Sequence, residues 1–420
     1  MPRLSISLLR RARAAHPFLP LLLPACRNLH DARNELRWLK EYADAVWKKM
    51  KKGKTAQSSH LNHHHHLLLS MVRRRATGSP LQYILRSQPF GDLDILCRPG
   101  VLIPRPETEA YTYQTAHLVS AAINNSNSLA AGKEIHHLRL IDLCTGTGCI
   151  PLLLHSLICQ SLRGGRRSTP ISLSIDAIDI EHRALRLANR NISHNISQNL
   201  LSPHARREIS LHRANVFNLP ALTRHSASTP SWLAPASAGQ LLVLTSNPPY
   251  ISPKAYRDGT TARSVRLFEP KKALVPPLVA AGAGAAMDNG RSCGSEGGSR
   301  SGVVVQADLF YCPIIELSRQ LNAHLTVLEC GDPAQARRVA RLAADDSAMH
   351  TGTDSSSGAT GVEIEIWRCD GEGTPIAYRH DSHFNGFDMQ WCTVANDEPD
   401  TKERGARIVV LKRPPFTASG

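Results

Sequence analysis

Acidic residues are missing from the first 30 positions, which hold Arg3, Arg10, Arg11, Arg13 and Arg27. Over residues 1–90, 17 Lys and Arg face only 4 Asp and Glu; over 91–420 the counts are 33 and 31. The formal net charge of +15 is therefore an N-terminal property. A nearly neutral body lacks the broad basic face that nucleic-acid backbone contact requires. The 10 cysteines include no Cys-x-x-Cys pair and no regular spacing, which argues against a zinc ribbon and a small disulfide scaffold. Long apolar runs are absent too: none approaches the ~18–20 residues that a membrane-spanning helix needs. No internal repeat is visible. What remains is a chain of 420 residues, 42% hydrophobic, with room for one large domain and a smaller one.

The arginine-rich, acid-free start carries interspersed Leu and Ile. That is the pattern of a mitochondrial transit peptide, and residues 1–30 are expected to be removed and to take no part in the fold. Over 35–54, Leu36, Leu39, Ala43, Val46, Trp47 and Met50 recur at helical spacing. A histidine run, His63–His66, follows a polar break. Adjacent imidazoles point in different directions and no acidic or cysteine partner sits nearby, so a low-complexity loop is expected there and no metal. Residues 31–90 read as a small helical domain that recognises the substrate.

From about residue 138 short apolar runs alternate with helical patterns. Strands are expected at 138–144, 174–179, 209–214, 241–246, 325–330, 362–369 and 406–412, with helices at 150–160 and 181–195. Alternation of this kind builds an α/β fold with a parallel sheet covered on both faces. The last two strands have no convincing helix between them and are expected to close the sheet as an antiparallel pair. Stretches 224–240, 281–302 and 345–361 are rich in Gly, Ser, Ala or Pro and read as surface insertions into a domain spanning 91–420.

Three segments carry chemistry. In the first, a strand ends at Asp142 and turns through Cys144-Thr145-Gly146-Thr147-Gly148 into a helix. Glycines at 146 and 148 allow tight turning and close ligand approach, with helix N-terminal amides beyond. Pro151 breaks the dinucleotide-binding pattern. In the second, Asp179 ends the next strand, where a carboxylate can accept both hydroxyls of an adenosine ribose. The third is Asn247-Pro248-Pro249-Tyr250 at the end of an apolar strand. Two prolines stiffen the backbone and leave its carbonyls as acceptors. This set suits a planar –NH2 group: one N–H to the Asn247 side-chain carbonyl, one to the Pro248 backbone carbonyl, and the Tyr250 ring against the plane.

Asn247-Pro248-Pro249-Tyr250, with Asp142 to Gly148 upstream, resembles the S-adenosylmethionine-dependent amino-methyltransferases. Other segments resemble the release-factor glutamine methyltransferases, the HemK-like family, more narrowly. These are Gly78-Ser79-Pro80-Leu81-Gln82-Tyr83-Ile84, Val101-Leu102-Ile103-Pro104-Arg105-Pro106-Glu107-Thr108-Glu109, Phe268-Glu269-Pro270-Lys271-Lys272-Ala273-Leu274 and Leu328-Glu329-Cys330-Gly331. The resemblance spans roughly 75–415. It implies a seven-stranded, Rossmann-like methyltransferase sheet. It implies S-adenosylmethionine as cofactor, held by Asp142, Cys144, Thr145, Gly146, Thr147, Gly148 and Asp179, with Val216 lining the adenine and Asn247 near the methionine part. Asn247, Pro248, Pro249 and Tyr250 would bind the substrate, and Asn247, Pro248 and Tyr250 would be catalytic.

The implied reaction is N5-methylation of the glutamine in the Gly-Gly-Gln loop of a peptide-chain release factor, in the mitochondrial matrix. The expected enzyme is a monomer with no stable nucleic-acid partner and no membrane. Two departures from the family pattern stand out: Cys144 replaces the usual first glycine of the turn, and Asn215 replaces a common Asp. The competing functions are a DNA or RNA adenine or cytosine N-methyltransferase and a non-catalytic assembly factor that keeps the fold.

Overall fold

Runs such as Leu138-Arg139-Leu140-Ile141-Asp142-Leu143 and Leu241-Leu242-Val243-Leu244-Thr245-Ser246 are almost wholly buried, as strands covered on both faces must be. In the computed structural model they are the central strands of a seven-stranded sheet. The structure describes residues 4–51, 60–126, 135–164, 170–224, 229–278, 305–350, 362–368 and 405–416. The chain divides into two units.

The first unit comprises Met1–Gln88, Leu96–Ile103 and Gly259–Pro270. Its helices are α1 (Ile6–Ala15), α2 (Leu19–Cys26), α3 (Leu29–Lys51), α4 (His60–Ala76) and α5 (Leu81–Leu85), with a short helix at Arg263–Phe268. Ser5 caps α1, its hydroxyl accepting from the Leu8 amide. Leu19, Leu22 and Leu23 share one core with Leu36, Leu39, Met71 and Val72. In the full chain α1 and α2 thus pack into the core of the helical unit. Arg75 and Glu35 form a two-pronged ion pair, at 2.6 and 2.8 Å, that ties α4 to α3. The histidine run lies in α4, not in a loop.

The second unit comprises Pro89–Ile95, Pro104–Asp258 and Lys271–Gly420, so the domain boundary expected at 90/91 is redrawn. A hairpin of β1 (Ser87–Phe90) and β2 (Leu93–Leu96) forms a two-stranded sheet. The large sheet follows: β3 (His137–Leu143), β4 (Ser172–Asp179), β5 (Ile209–Arg213), β6 (Gln240–Ser246), β7 (Leu325–Glu329), β8 (Glu363–Arg368) and β9 (Ala406–Lys412). Their order is β5-β4-β3-β6-β7-β9-β8. The first five run parallel; β9 is antiparallel to both β7 and β8, the expected closing pair.

Helices α6 (Pro106–Ser126), α7 (Cys149–Gly164), α8 (His182–Ser197), α9 (Ala205–Glu208) and α10 (Leu219–Thr223) belong to this unit. So do α11 (Pro253–Arg257), α12 (Tyr311–Gln320) and α13 (Pro333–His350). One core, including Leu140, Leu153, Ile175 and Val243, lies on one face of the sheet; another, including Ile141, Leu244, Ile314 and Val339, lies on the other.

Two of the stretches expected as insertions are described in part. Within 224–240, Leu233 is fully buried, the Trp232 ring stacks on His212 at 4.6 Å, and Arg139 donates to the carbonyls of Trp232 and Ala234. Residues 232–234 are thus anchored to the sheet. Within 345–361, α13 continues to His350. The stretch 281–302 lies outside the described residues.

Candidate functional site

Strand order alone sets where a ligand can bind. The chain leaves β3 toward β4 on one side and β6 toward β7 on the other. The carboxyl ends of β3 and β6 therefore flank the crevice where ligands sit in open α/β sheets. The turn Cys144–Gly148 follows β3, Asp179 ends β4, and Asn247–Tyr250 follows β6. All three predicted segments thus reach the same edge of one sheet.

The β3 turn is built from left-handed residues: Cys144 has φ 60°, Gly146 φ 55° and Gly148 φ 78°. Cys144 occupies a conformation that favours glycine, which gives the family's glycine there a physical reason. The Thr145 amide donates to the Ile178 carbonyl at 3.0 Å, and the Gly148 amide to the Thr145 carbonyl at 2.8 Å. The Thr147 carbonyl accepts from Asn191 of α8 at 2.8 Å. At Gly148 an added Cβ would lie 3.1 Å from Ala188 Cβ, so glycine lets α8 pack closely. At Gly146 an added Cβ would meet nothing within 4 Å. That glycine faces open space at the strand ends, just before the amides that begin α7.

Asp142 is buried. Its Oδ1 accepts from the Thr245 hydroxyl at 2.7 Å, which joins β3 to β6. Burial pushes its pKa up to about 7, against the hydrogen bonding of the Thr145 and Thr245 hydroxyls. Its Oδ2 and the Thr145 hydroxyl are both buried and interact with each other, short of a well-formed hydrogen bond among the described residues. Buried polar atoms are costly unless they are well hydrogen-bonded. Asp179 accepts the Gly146 amide on Oδ2 at 2.9 Å and the Glu181 amide on Oδ1 at 2.8 Å. Each oxygen keeps a second lone pair. Burial raises its pKa, and those amides oppose the rise.

Val216 is buried in a short turn that Asn215 caps by accepting from the Phe217 amide at 3.2 Å. Asn215 is thus occupied with its own backbone. The Cys144 thiol is pushed well above its usual pKa by burial and stays protonated, which makes it a wall and not a nucleophile.

Pro248 and Pro249 are buried, and Asn247 and Tyr250 are half-buried. The Ser246 hydroxyl donates to the Leu143 carbonyl at 3.0 Å. The Ile251 amide donates to the Leu274 carbonyl at 2.8 Å, so the tetrapeptide is pinned at both ends. The Tyr250 hydroxyl donates to Glu329 Oε1 at 3.1 Å. Its ring lies where a side chain on Gly331 would go, with an added Cβ 3.0 Å from Tyr250 Cδ2.

Two residues quoted only as family markers turn out to touch this site. The Asn247 Nδ2 group donates to Thr108 Oγ1 at 3.2 Å, and the Thr108 hydroxyl donates to Glu329 Oε2 at 2.7 Å. Their signals were the Pro-Arg-Pro-Glu-Thr-Glu and Leu-Glu-Cys-Gly segments; nothing in the sequence showed the contact. The remaining family segments meet in the first unit. Tyr83 donates to the Val101 carbonyl at 2.7 Å, buried Glu269 accepts the Ile103 amide at 3.1 Å, and Phe268 packs on Tyr83 and Ile103.

The similar proteins agree with one another. Over 280 residues the chain is 36% identical to the mitochondrial MRF1 N(5)-glutamine methyltransferase MTQ1 of Saccharomyces cerevisiae, covering 66% of this chain and 69% of that one. The chain belongs to the release-factor glutamine methyltransferase family. It is an S-adenosylmethionine-dependent methyltransferase. It is 35% identical over 201 residues to the probable MRF1 mitochondrial N(5)-glutamine methyltransferase mtq1 of Schizosaccharomyces pombe, covering 48% of this chain and 53% of the relative. With a release factor glutamine methyltransferase of Nitratidesulfovibrio vulgaris it shares 34% over 207 residues, 49% of this chain and 52% of the relative. The chain thus spans about half the length of these last two. No protein-family model matches the chain.

The site fits the cofactor of this family. The buried carboxylate of Asp142, the open space at Gly146 and the spare lone pairs of Asp179 suit a polar nucleoside that carries positive charge.

Proposed function

We propose that this enzyme methylates the N5 amide of the glutamine in the Gly-Gly-Gln loop of a peptide-chain release factor, in the mitochondrial matrix. The observation that carries this reading is the Asn-Pro-Pro-Tyr segment, rigidly held at the end of β6 with the Asn247 amide group fixed by Thr108. Support comes from relatives whose names specify N(5)-glutamine methylation, two of them mitochondrial. The arginine-rich, acid-free start supports import.

Asp142, Cys144–Gly148, Asp179 and Val216 would hold S-adenosylmethionine, which when bound supplies an electrophilic methyl on sulfonium sulfur. Asn247 Oδ1 and the Pro248 carbonyl each accept one N–H of the glutamine carboxamide. They would draw the nitrogen into line and favour positive charge on it as the N–C bond forms and the methyl–sulfur bond breaks, after which one N–H proton is lost to solvent. The carboxamide nitrogen is a poor nucleophile because its lone pair is delocalised into the carbonyl. Positioning and preorganised acceptors therefore do the catalytic work, with no strong side-chain base. The Tyr250 ring, held by Glu329 and Gly331, walls the plane of the amide. The helical unit is assigned to recognition of the release factor.

The test is labelled-methyl transfer from S-adenosylmethionine to a Gly-Gly-Gln release factor, to DNA and to RNA in parallel. Incorporation into the release factor alone is the expected result. Incorporation into a nucleic acid alone would replace this reading with that of a base N-methyltransferase, and incorporation into none would favour an assembly factor.

A further inference from the structure

Glu329 ends β7 with its carboxylate fully inside the protein, 1% exposed. Two hydroxyls point at it: Thr108 at 2.7 Å to Oε2 and Tyr250 at 3.1 Å to Oε1. A hydroxyl has one proton to give. Desolvation of the Tyr250 hydroxyl, with the neighbouring Glu329, pushes its pKa well above the ordinary value, so it keeps its proton and donates it. Thr108 spends its single proton on the other carboxylate oxygen. What Thr108 then offers Asn247 is lone pairs only.

That settles which way the Asn247 amide faces. Its two ends are alike in shape and opposite in polarity. Only the –NH2 end can meet a Thr108 oxygen whose proton is already committed, and the observed contact is Nδ2 to Oγ1 at 3.2 Å. Oδ1 is consequently the end left for a substrate, and a carboxamide to be methylated presents N–H groups. Were Asn247 reversed, donor would face donor, and the acceptor that orients the glutamine nitrogen would be lost.

Burial raises the Glu329 pKa, and the Thr108 and Tyr250 hydroxyls, with the positive charge of Arg407, oppose that rise; Arg407 itself pairs with Glu107 at 3.0 Å. The Thr108 backbone is held as well, because its carbonyl accepts from the Thr112 hydroxyl at 2.6 Å within α6. The relay therefore starts and ends on rigid elements: β7, the first turn of α6 and the pinned tetrapeptide after β6.

We infer that Glu329 and Thr108 are positioning residues that act as a proton-direction relay, keeping Asn247 an acceptor toward the glutamine carboxamide. This rests on the function proposed above and adds the device that gives Asn247 its polarity. It also assigns a task to the Thr of Pro-Arg-Pro-Glu-Thr-Glu and the Glu of Leu-Glu-Cys-Gly.

The experiment compares wild type, Thr108→Val, Thr108→Ser, Glu329→Gln and the Thr108→Val/Glu329→Gln double variant on a Gly-Gly-Gln release factor. It also measures S-adenosylmethionine affinity by calorimetry and thermal midpoint. Valine keeps the shape of threonine and removes the relay, so kcat is expected to fall at least about tenfold, the scale of one unmet buried polar group. KM and cofactor affinity stay within about twofold. Serine restores kcat. Because the two residues act in series, the double variant is no worse than the poorer single one. An unchanged kcat in Thr108→Val, with wild type active, overturns the relay alone. So does a loss that serine fails to restore and that cofactor affinity and midpoint share, since that marks a packing role. An inactive wild type overturns the proposed function and the relay with it.

Discussion

The Asp179 carboxylate accepts the backbone amide of Gly146 at 2.9 Å, so the residue expected to hold a ribose also shapes the turn expected to hold the rest of the cofactor. One side chain thereby couples the end of β4 to the turn after β3. Replacing it disturbs both. Asp179→Asn puts an amide donor among the Gly146 and Glu181 amides, and S-adenosylmethionine affinity is expected to fall roughly tenfold or more, the scale of a hydrogen bond to a charged group. Calorimetric titration checks this; an affinity within twofold of wild type would contradict it.

The two glycines of the same turn should fail in different ways. Gly148→Ala puts a Cβ 3.1 Å from Ala188 at φ 78°, so it should cost stability, about 1–3 kcal/mol. Gly146→Ala meets open space, so its loss should fall mainly on cofactor affinity, with only the left-handed backbone penalty of about 1 kcal/mol on stability. Unfolding in urea with parallel calorimetry separates the two. Equal loss of affinity and stability in both variants would refute the assignment of Gly146 to the cofactor.

Asp142 predicts a pH dependence of stability. Its folded pKa of about 7 lies above its ordinary value of 3.8, so between those values the folded chain binds more protons than the unfolded chain. Stability of the cofactor-free protein therefore falls as pH rises from about 4 to about 7 and then levels, as far as this group is concerned. The raised pKa values of Asp179 and Glu329 act in the same direction. Asp142→Asn should flatten the fall without abolishing it. Urea midpoints across that range test this, and identical slopes in the two proteins would count against it.

Deleting residues 1–28 should unfold or aggregate the helical unit. Leu19, Leu22 and Leu23 are 2%, 0% and 0% exposed, and burying a leucine contributes roughly 1.5–3 kcal/mol. A truncated protein with an unchanged melting profile would show that α1 and α2 contribute nothing to the core.

The packing of α1 and α2 was not legible in the sequence. Arginine-rich amphipathic segments look alike whether they serve import or pack on a neighbour, and the tertiary partners of Leu19–Leu23 lie in α3 and α4, outside the segment. Pro20 sits in the first turn of α2, where a missing N–H costs nothing. The sheet was legible because strands buried on both faces show continuous apolar runs, as Leu241–Leu244 do. The stretch around Trp232 was not, because Ser, Pro and Ala composition hides one buried leucine and two carbonyls that Arg139 seeks. The placement of Asp142, Gly146, Asp179 and Asn247 at strand ends and the turns after them was legible from the sequence pattern. Thr108 and Glu329 were visible only as motif letters. The hydrogen bonds among Thr108, Asn247 and Glu329 span 139 and 221 residues of chain, and only the fold closes those distances.

The most direct test of the central claim is tandem mass spectrometry of the Gly-Gly-Gln peptide from a mitochondrial release factor. The factor would be incubated with S-adenosylmethionine and either the wild-type enzyme or Asn247→Ala. The wild type should add one methyl group, with fragment ions placing it on the glutamine side chain. Asn247→Ala should do so about a hundredfold more slowly or worse, the scale of losing one preorganised group. A methyl group on any other residue, or equal rates for the two proteins, would contradict the account.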